Sequence, residues 1–406
     1  MKAGWKTKRL DEVCTLRPPK SEARKKLTDT DLVSFAPMDD LGIDCKYLNP
    51  KLTRSLGDVA GSYTYFANGD VLLAKITPCF ENGKLGIAHN LINGIGFGSS
   101  EYFVIRPCHE ISAEYLYYFL LQESFREEGA KSMTGAVGHK RVAKEFLEAH
   151  RIPIPLLPEQ QRIVAILDEA FEAIAAARAN AEQNRQNARA LFESYLQSVF
   201  SQRGDGWTEK PLGEMATFRN GVNFTKSSQG EPIKILGVKD FQDYYWAPLN
   251  SLDSIIPDGT LPDTDTLQQN DIVFVRSNGN PELIGRCLLI GEVQERTTFS
   301  GFTIRARRFT EEVLPQYLCH FLKSSHIRRE LVDGGNGANI RSLNQGALSK
   351  LRINFPVALS EQERIVEQLE TMQSETQHLE SLYQRKMAAL DELKQSLLQQ
   401  AFSGQL

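Results

Sequence analysis

Between residues 163 and 195 the chain places Ile163, Leu167, Ala170, Ile174, Ala177, Ala181, Asn184, Ala188, Leu191 and Tyr195 in alternating steps of four and three. That spacing is a heptad seam, and it predicts one long helix from just after Pro158 to about Phe200, opened by a proline and by Glu159 in the first turn. A second seam runs through Ile365, Leu369, Met372, Thr376, Leu379, Tyr383, Leu390, Leu393 and Leu397. It predicts a helix starting at Ser360, with Glu363 in the capping-box position, and ending near Phe402-Ser403-Gly404; Lys386 falls on the seam. Faces this apolar need cover. The two helices are expected to pair as an antiparallel coiled coil, with Ile163, Leu167, Ile174, Leu191, Ile365, Leu369, Leu379, Leu390 and Leu397 in the interface. Asn184 either fixes the register opposite Thr376 to Tyr383 or lies half exposed.

The segments around the helices carry strand signals. Asn68-Gly69-Asp70 leads into Val71-Leu72-Leu73-Ala74-Lys75-Ile76, and Asn270-Asp271 leads into Ile272-Val273-Phe274-Val275-Arg276. Tyr102 to Arg106 is matched by Gly301 to Arg305, and short helices are expected over 112–122 and 311–323. The matching is general. Gly4-Trp5 recurs as Gly206-Trp207, Tyr115-Leu116 as Tyr317-Leu318, and Glu159-Gln160 as Glu361-Gln362, each at an offset of 206 − 4 = 202. The chain is a duplication, and its copies share a scaffold while differing in what they touch. The fold class is α+β: a globular domain over 1–156, a helix over 157–204, a second domain over 205–358 and a last helix over 359–406, with the domains related as a pseudo-twofold repeat.

Length and charge refine this. A chain of 406 residues suits two cores of roughly 150 residues each. No run of about 18 apolar residues or signal-type N-terminus occurs, so a cytoplasmic protein is expected. Cys14, Cys45, Cys79, Cys108, Cys287 and Cys319 form no Cys-x-x-Cys pair, and neither Cys108-His109 nor Cys319-His320 has companion ligands in sequence; no metal site is expected. The formal charge of −4 is unevenly spread. Residues 159–200 hold six acids and four bases, and 359–401 eight acids and four bases, which leaves −4 − (−6) = +2 for the rest. Residues 1–30 carry nine Lys/Arg against four Asp/Glu, and Arg296, Arg305, Arg307 and Arg308 crowd a stretch free of acids.

These residues resemble the specificity subunit of Type I restriction-modification systems. The likeness rests on Gly-Trp followed by Leu-Asp-Glu or Leu-Gly-Glu, the strand start Gly69-Asp70-Val71-Leu72, Ile152-Pro153-Ile154-Pro155 and the helix start Leu156 to Gln160, repeated in order along the chain. The second copy departs from it, with Asp271-Ile272 in place of Gly-Asp-Val. The resemblance implies two target recognition domains, each reading half of a split, asymmetric double-stranded DNA sequence, with the helices as a ruler that sets the gap. It also implies docking of two methyltransferase subunits, which bind S-adenosylmethionine themselves, and possible recruitment of motor-nuclease subunits. This chain would hold no cofactor and no catalytic residue.

Candidate DNA contacts are the polar groups on the matched loops. Arg17, Lys20, Lys25 and Lys26 fall in one early loop, and Arg219, Asn223 and Lys226 in its counterpart. Lys75 and Arg276 leave the repeated strand, and Lys140, Arg141 and Arg341 follow Gly-rich turns. Lys84, Asn278, Asn280 and Arg286 are further purine-reading types, although asparagines in such loops also serve as turn formers. Tyr244-Tyr245-Trp246 could stack on a base or fill a core. Enzyme motifs are missing: no Asn/Asp-Pro-Pro-Tyr, no Walker loop, and Gly94-Ile95-Gly96-Phe97-Gly98 precedes a strand instead of joining strand to helix. Two other readings stay open, a coiled-coil adaptor that binds only proteins and, less supported, a stand-alone nuclease or methyltransferase.

Overall fold

A computed structural model describes residues 4–136, 138–202, 204–225, 227–242, 245–333 and 342–406. They form two compact units, one comprising Met1–Ala181 with Arg385–Leu406 and the other Glu182–Gln384. Each unit is a head plus a segment of each long helix, so the structural division cuts through the helices at their middles.

The heads share one plan. In the first, Lys6–Arg9 pairs with Arg151–Ile154, and a four-stranded sheet runs in the order Cys14–Leu16, Tyr102–Pro107, Val71–Ala74, Leu85–Ile87. In the second, Trp207–Pro211 pairs with Arg352–Pro356, and the corresponding order is Ala216–Asn220, Thr303–Arg308, Ile272–Val275, Cys287–Leu289. A further sheet carries four strands in the first head and three in the second, each with one parallel pair: Leu32–Ala36 beside Ile95–Gly98, and Ile233–Leu236 beside Thr297–Phe299. Where the first head has its fourth strand, Thr64–Ala67, the second keeps an isolated bridge between Thr266 and Thr298.

Buried polar groups fix these parts. Asp70 and Asp271 are each 1% exposed. Asp70 receives two hydrogen bonds from Arg106, at 2.6 and 2.8 Å, and Asp271 two from Arg307, at 2.8 and 2.7 Å. Each aspartate also accepts from the turn it closes, from Ala67 N and from Gln268 N. The carboxylates therefore lock the turn into the repeated strand to a neighbouring strand of the same sheet. This pairing corrects the expected alignment of Tyr102–Arg106 with 301–305: the strand is Thr303–Arg308, and Arg106 corresponds to Arg307 at 307 − 106 = 201. The same shift equates Gly69 (φ 87°) with Asn270 (φ 70°). Both occupy the left-handed region, which asparagine tolerates better than most side chains, so the missing glycine leaves the turn intact.

A second polar device holds the helices. The first long helix spans Leu157–Phe200 and the second Leu359–Ser403, so Ser360 lies inside the first turn instead of capping it. Gln160 is fully buried, donates to the carbonyls of Glu110 and Pro155, and accepts from Ser112 N. Gln362 repeats this with Glu312, Pro356 and Leu314. One glutamine thus satisfies three backbone groups at each junction between head and helix. The other ends of the helices are aromatic anchors. Phe402 packs in the first unit against Tyr115 and Phe119, at 5.0 and 5.3 Å between ring centroids, and Phe200 packs in the second against Tyr317 and Phe321, at 5.4 and 5.3 Å.

The helix segments run antiparallel in both units, as Arg178 with Asp391 and Arg189 with Glu380 record. Ile163, Leu167, Ile174, Ile365 and Leu369 are buried, while Leu379, Leu390 and Leu397 are half-buried. Leu191 is not in the seam: it is 54% exposed, and Asn184 is exposed too. The burial pattern takes two consecutive steps of four, Ala177 to Ala181 to Arg185, keeps Ala188 inward as expected, and brings Arg185 and Phe192 inward in place of Asn184 and Leu191. A helix with 3.6 residues per turn drifts away from a strict heptad, and the extra step absorbs that drift. Thr376 is a buried polar residue on the seam itself, and its hydroxyl bonds back to the Met372 and Gln373 carbonyls. Lys386 is exposed because Met387 takes the inward position, and Leu393 is 47% exposed because Lys394 does.

Replacing Gln160 by alanine strands three backbone groups and should cost the first unit about 3 kcal/mol in urea unfolding, whereas Gln161→Ala on the exposed face should stay within about 0.5 kcal/mol.

Candidate nucleic-acid interface

The strands Cys14–Leu16 and Val71–Ala74 lie parallel on either side of Tyr102–Pro107, so Arg17 and Lys75 leave the sheet at the same end. Arg17 holds a positive φ of 57°, a turn conformation anchored by its N–H on Val104 O. Val142 N donates to Lys75 O, which brings the turn carrying Arg141 to the same place. Together with Lys144, these residues line a cleft of about 220 Å³ floored by Leu16, Phe103 and Val142. Burial pulls the Lys75 ammonium below its ordinary pKa, Glu101 opposes that, and the charges of Arg17 and Arg141 add to the lowering. Its amine donates to Ser100 O at 2.8 Å and sits 5.7 Å from the Phe103 ring centroid. Arg141 is held by two hydrogen bonds to Glu101, at 2.9 and 2.8 Å. Cations set around an apolar floor and only partly neutralised form an anion-seeking surface.

The remaining first-head candidates divide. Lys25 and Lys26 are exposed on the helix Ser21–Lys26, and the Lys140 side chain is exposed while its carbonyl accepts from Thr77 N. Lys20 is spent on the carbonyls of Ala60 and Gly61, and Lys84 on that of Met38. Both tie loops together.

The second head repeats the place and its basic residues but not their partners. Arg219 corresponds to Arg17 and pairs with Asp265. Arg276 corresponds to Lys75, is half-buried, and its guanidinium has no hydrogen-bond or ion-pair partner among the described residues. Asn278 and Asn280 act as turn formers: Asn278 Oδ1 accepts from Asn280 N, and Asn280 Oδ1 caps the short helix Pro281–Leu283 through Glu282 N. Arg286 bonds the carbonyls of Glu282 and Phe241. Asn223 is exposed and lies so close to Gly301 that a Cβ there would fall 2.0 Å from its Oδ1. Lys226, Arg341 and Tyr244 lie outside the described residues.

Apart from Arg296, which stays exposed, the basic run at 296–308 turns inward. Arg296 pairs with Asp263, Arg305 is 4% exposed and bonds the carbonyls of Thr264 and Thr266, Arg307 holds Asp271, and Arg308 bonds Val313 O. Tyr245 packs against the core and donates to Gln316 O, while Trp246 remains 44% exposed. The Gly94–Gly98 stretch is largely the strand Ile95–Gly98, where a Cβ at Gly96 would fall 2.2 Å from Phe66. Its glycines serve sheet packing. Lys144 and Glu101 went unnoticed in the sequence, because an Arg three residues before a Lys announces no common cleft until the turn is folded. Among the described residues no cluster of three or more metal-ligating side chains forms, and no helix is long and apolar enough to cross a membrane.

Two heads on one plan, each joined to both long helices and bearing basic residues at equivalent strand exits, define a duplicated recognition scaffold. The model of the Type I restriction modification DNA specificity domain matches residues 2–183 and again 204–385, and the chain belongs to this family. The EcoAI specificity subunit of Escherichia coli is 38% identical over 162 residues, 40% of this chain and 27% of that protein, so the match spans only about a quarter of that relative. The StySPI specificity subunit of Salmonella potsdam is 25% identical over 314 residues, 74% of this chain and 67% of that one. Among solved structures, a chain from the type I R-M system aligns with a TM-score of 0.82 at 18% identity, covering 100% of this chain and 99% of its own. The HsdS subunit from Thermoanaerobacter tengcongensis aligns at 0.64 and 20%, covering 100% and 98%. At these identities the likeness establishes the fold.

Glu101→Gln should release Arg141, and Asp265→Asn should release Arg219. Each variant is expected to elute from heparin at higher salt than the parent chain; unchanged elution would mean that these cations do not face a common surface.

Proposed function

We propose that the chain is the DNA sequence-recognition subunit of a Type I restriction-modification complex, each head reading one half of a bipartite, asymmetric target. The observation that carries this reading is the family match over both repeats, together with basic residues at the same strand exits in each head: Arg17 and Lys75 in the first, Arg219 and Arg276 in the second. Duplication with divergence gives one chain two unlike faces, which suits a target with unlike halves. Arg17, Lys25, Lys26, Lys75, Lys140, Arg141, Arg219 and Arg276 are proposed to grip or read DNA. Lys20, Lys84, Asn278, Asn280 and Arg286 are assigned to building the loops that carry them.

Catalysis is assigned to partners. Two methyltransferase subunits, bringing their own S-adenosylmethionine, would dock on the helix-bearing scaffold, and motor-nuclease subunits could join them. Leu156 and Val357, 82% and 63% exposed just ahead of the two helix starts, offer matched apolar contacts for such subunits. The protein-only adaptor is less well supported, since the matched family is defined by DNA specificity.

Modified-base sequencing of DNA from cells co-expressing the chain with its methyltransferase should show an N6-methyladenine motif with two halves and a fixed gap. Exchanging the first head for that of another family member should change one half only. Co-purification of the two proteins without chain-dependent methylation would favour the adaptor.

A further inference from the structure

One turn is built twice in this chain and carries opposite chemistry in its two copies. In the first head it precedes the strand Tyr102–Pro107: Glu101 N donates to Ser99 Oγ at 3.2 Å, and Glu101 O accepts from Lys75 N at 3.0 Å. In the second it precedes Thr303–Arg308: Phe302 N donates to Ser300 Oγ at 3.3 Å, and Phe302 O accepts from Arg276 N at 2.8 Å. The strand registers agree, since Ala74 faces Tyr102 and Val275 faces Thr303, which equates position 101 with position 302. The backbone of the turn is kept and its side chain is exchanged. A carboxylate that holds Arg141 gives way to an aromatic ring.

That ring is 60% exposed. Single exposed apolar side chains are common on protein surfaces and by themselves signify little. This one stands at the strand exits, where basic residues recur in both heads, and its carbonyl is held by Arg276 N and Ser277 N together. A ring on a fixed backbone loses little entropy when it makes a contact. Arg276, bonded to the same carbonyl, is half-buried and its guanidinium has no partner among the described residues. An apolar ring beside an unengaged guanidinium narrows what this place can read. The apolar group on a base edge is the thymine C5-methyl, and it lies in the major groove, where guanine N7 and O6 accept from arginine. Insertion between base pairs, the other use of an apolar side chain on DNA, is made from the minor groove and costs unstacking.

We infer that Phe302 is a specificity-determining residue of the second head and packs against the C5-methyl group of a thymine in that head's half-site. The inference rests on the reading that each head binds half of a DNA target. It assigns the exchange of Glu101 for Phe302 to the difference between the half-sites, since the ring offers a methyl group the apolar contact that a carboxylate denies it.

The test uses the full chain in complex with its methyltransferase subunits and duplexes carrying the target, with the second head's half-site identified by the head exchange above. Each thymine of that half-site is replaced in turn by uracil, which lacks only the methyl group. In the parent complex one replacement should weaken binding about three- to fivefold, the contribution of one buried methyl group. Phe302→Ala should bind the thymine duplex weaker by about the same factor, be indifferent to that uracil, and respond like the parent to uracil in the other half-site. Phe302→Glu, which installs the residue of the first head, should lose the same discrimination and decides the matter should the alanine variant fail to fold. A parent indifferent to every uracil in that half-site, or a sensitivity undiminished in both variants, overturns the inference and leaves the DNA reading standing. A parent complex with no chain-dependent target overturns that reading, and the inference with it.

Discussion

Neither head closes its core alone. The first head receives Phe402 from the far end of the second long helix against Tyr115 and Phe119, and the second receives Phe200 from the first helix against Tyr317 and Phe321. At its own junction each head grips its following helix through a fully buried glutamine, Gln160 or Gln362. The head, the start of one helix and the end of the other therefore share one hydrophobic cluster in each unit. Burial of aromatic surface supplies the attraction, and the satisfied glutamine fixes the angle at which the helix leaves.

That arrangement separates what the duplication had to keep from what it could change. The Asp70–Arg106 and Asp271–Arg307 pairs and the two glutamines recur because each satisfies buried groups that would otherwise be stranded, and the aromatic anchors recur because they fill the cores. Surface charge at the strand exits was free to diverge. Arg17 and Lys75 share one cleft with Arg141, whereas Arg219 is neutralised by Asp265 and the half-buried Arg276 has no side-chain partner among the described residues. Two unlike faces on one scaffold are what reading two unlike half-sites requires.

The long helices, the duplication and the repeated strands were legible in the sequence, since each follows from a periodicity or a constant offset. Finer placement was not. Leu191 and Asn184 missed the seam because strict heptads ignore the drift of a 3.6-residue helix. The strand at 303–308 was aligned two residues early, since matching 102–106 to 301–305 uses an offset of 305 − 106 = 199, whereas the strand register and the ion pair to Asp271 set it at 307 − 106 = 201. The arginine-rich stretch at 296–308 stood out in the sequence only as a concentration of positive charge, and in the fold Arg305, Arg307 and Arg308 spend that charge on carbonyls and on the buried Asp271 carboxylate. A basic residue in sequence does not tell whether its partner is inside the protein, and for Lys20, Lys84 and Arg286 it is.

The account turns on each head being completed by the end of the other repeat's helix, and hydrogen exchange on a chain ending at Gln384 tests it most directly. Loss of residues 385–406 removes Leu398, Ala401 and Phe402 from the first head and nothing from the second. Amides of the strands Val71–Ala74 and Tyr102–Pro107 are predicted to lose most of their protection while those of Ile272–Val275 and Thr303–Arg308 keep theirs. Equal protection of the first head with and without the segment would contradict the account.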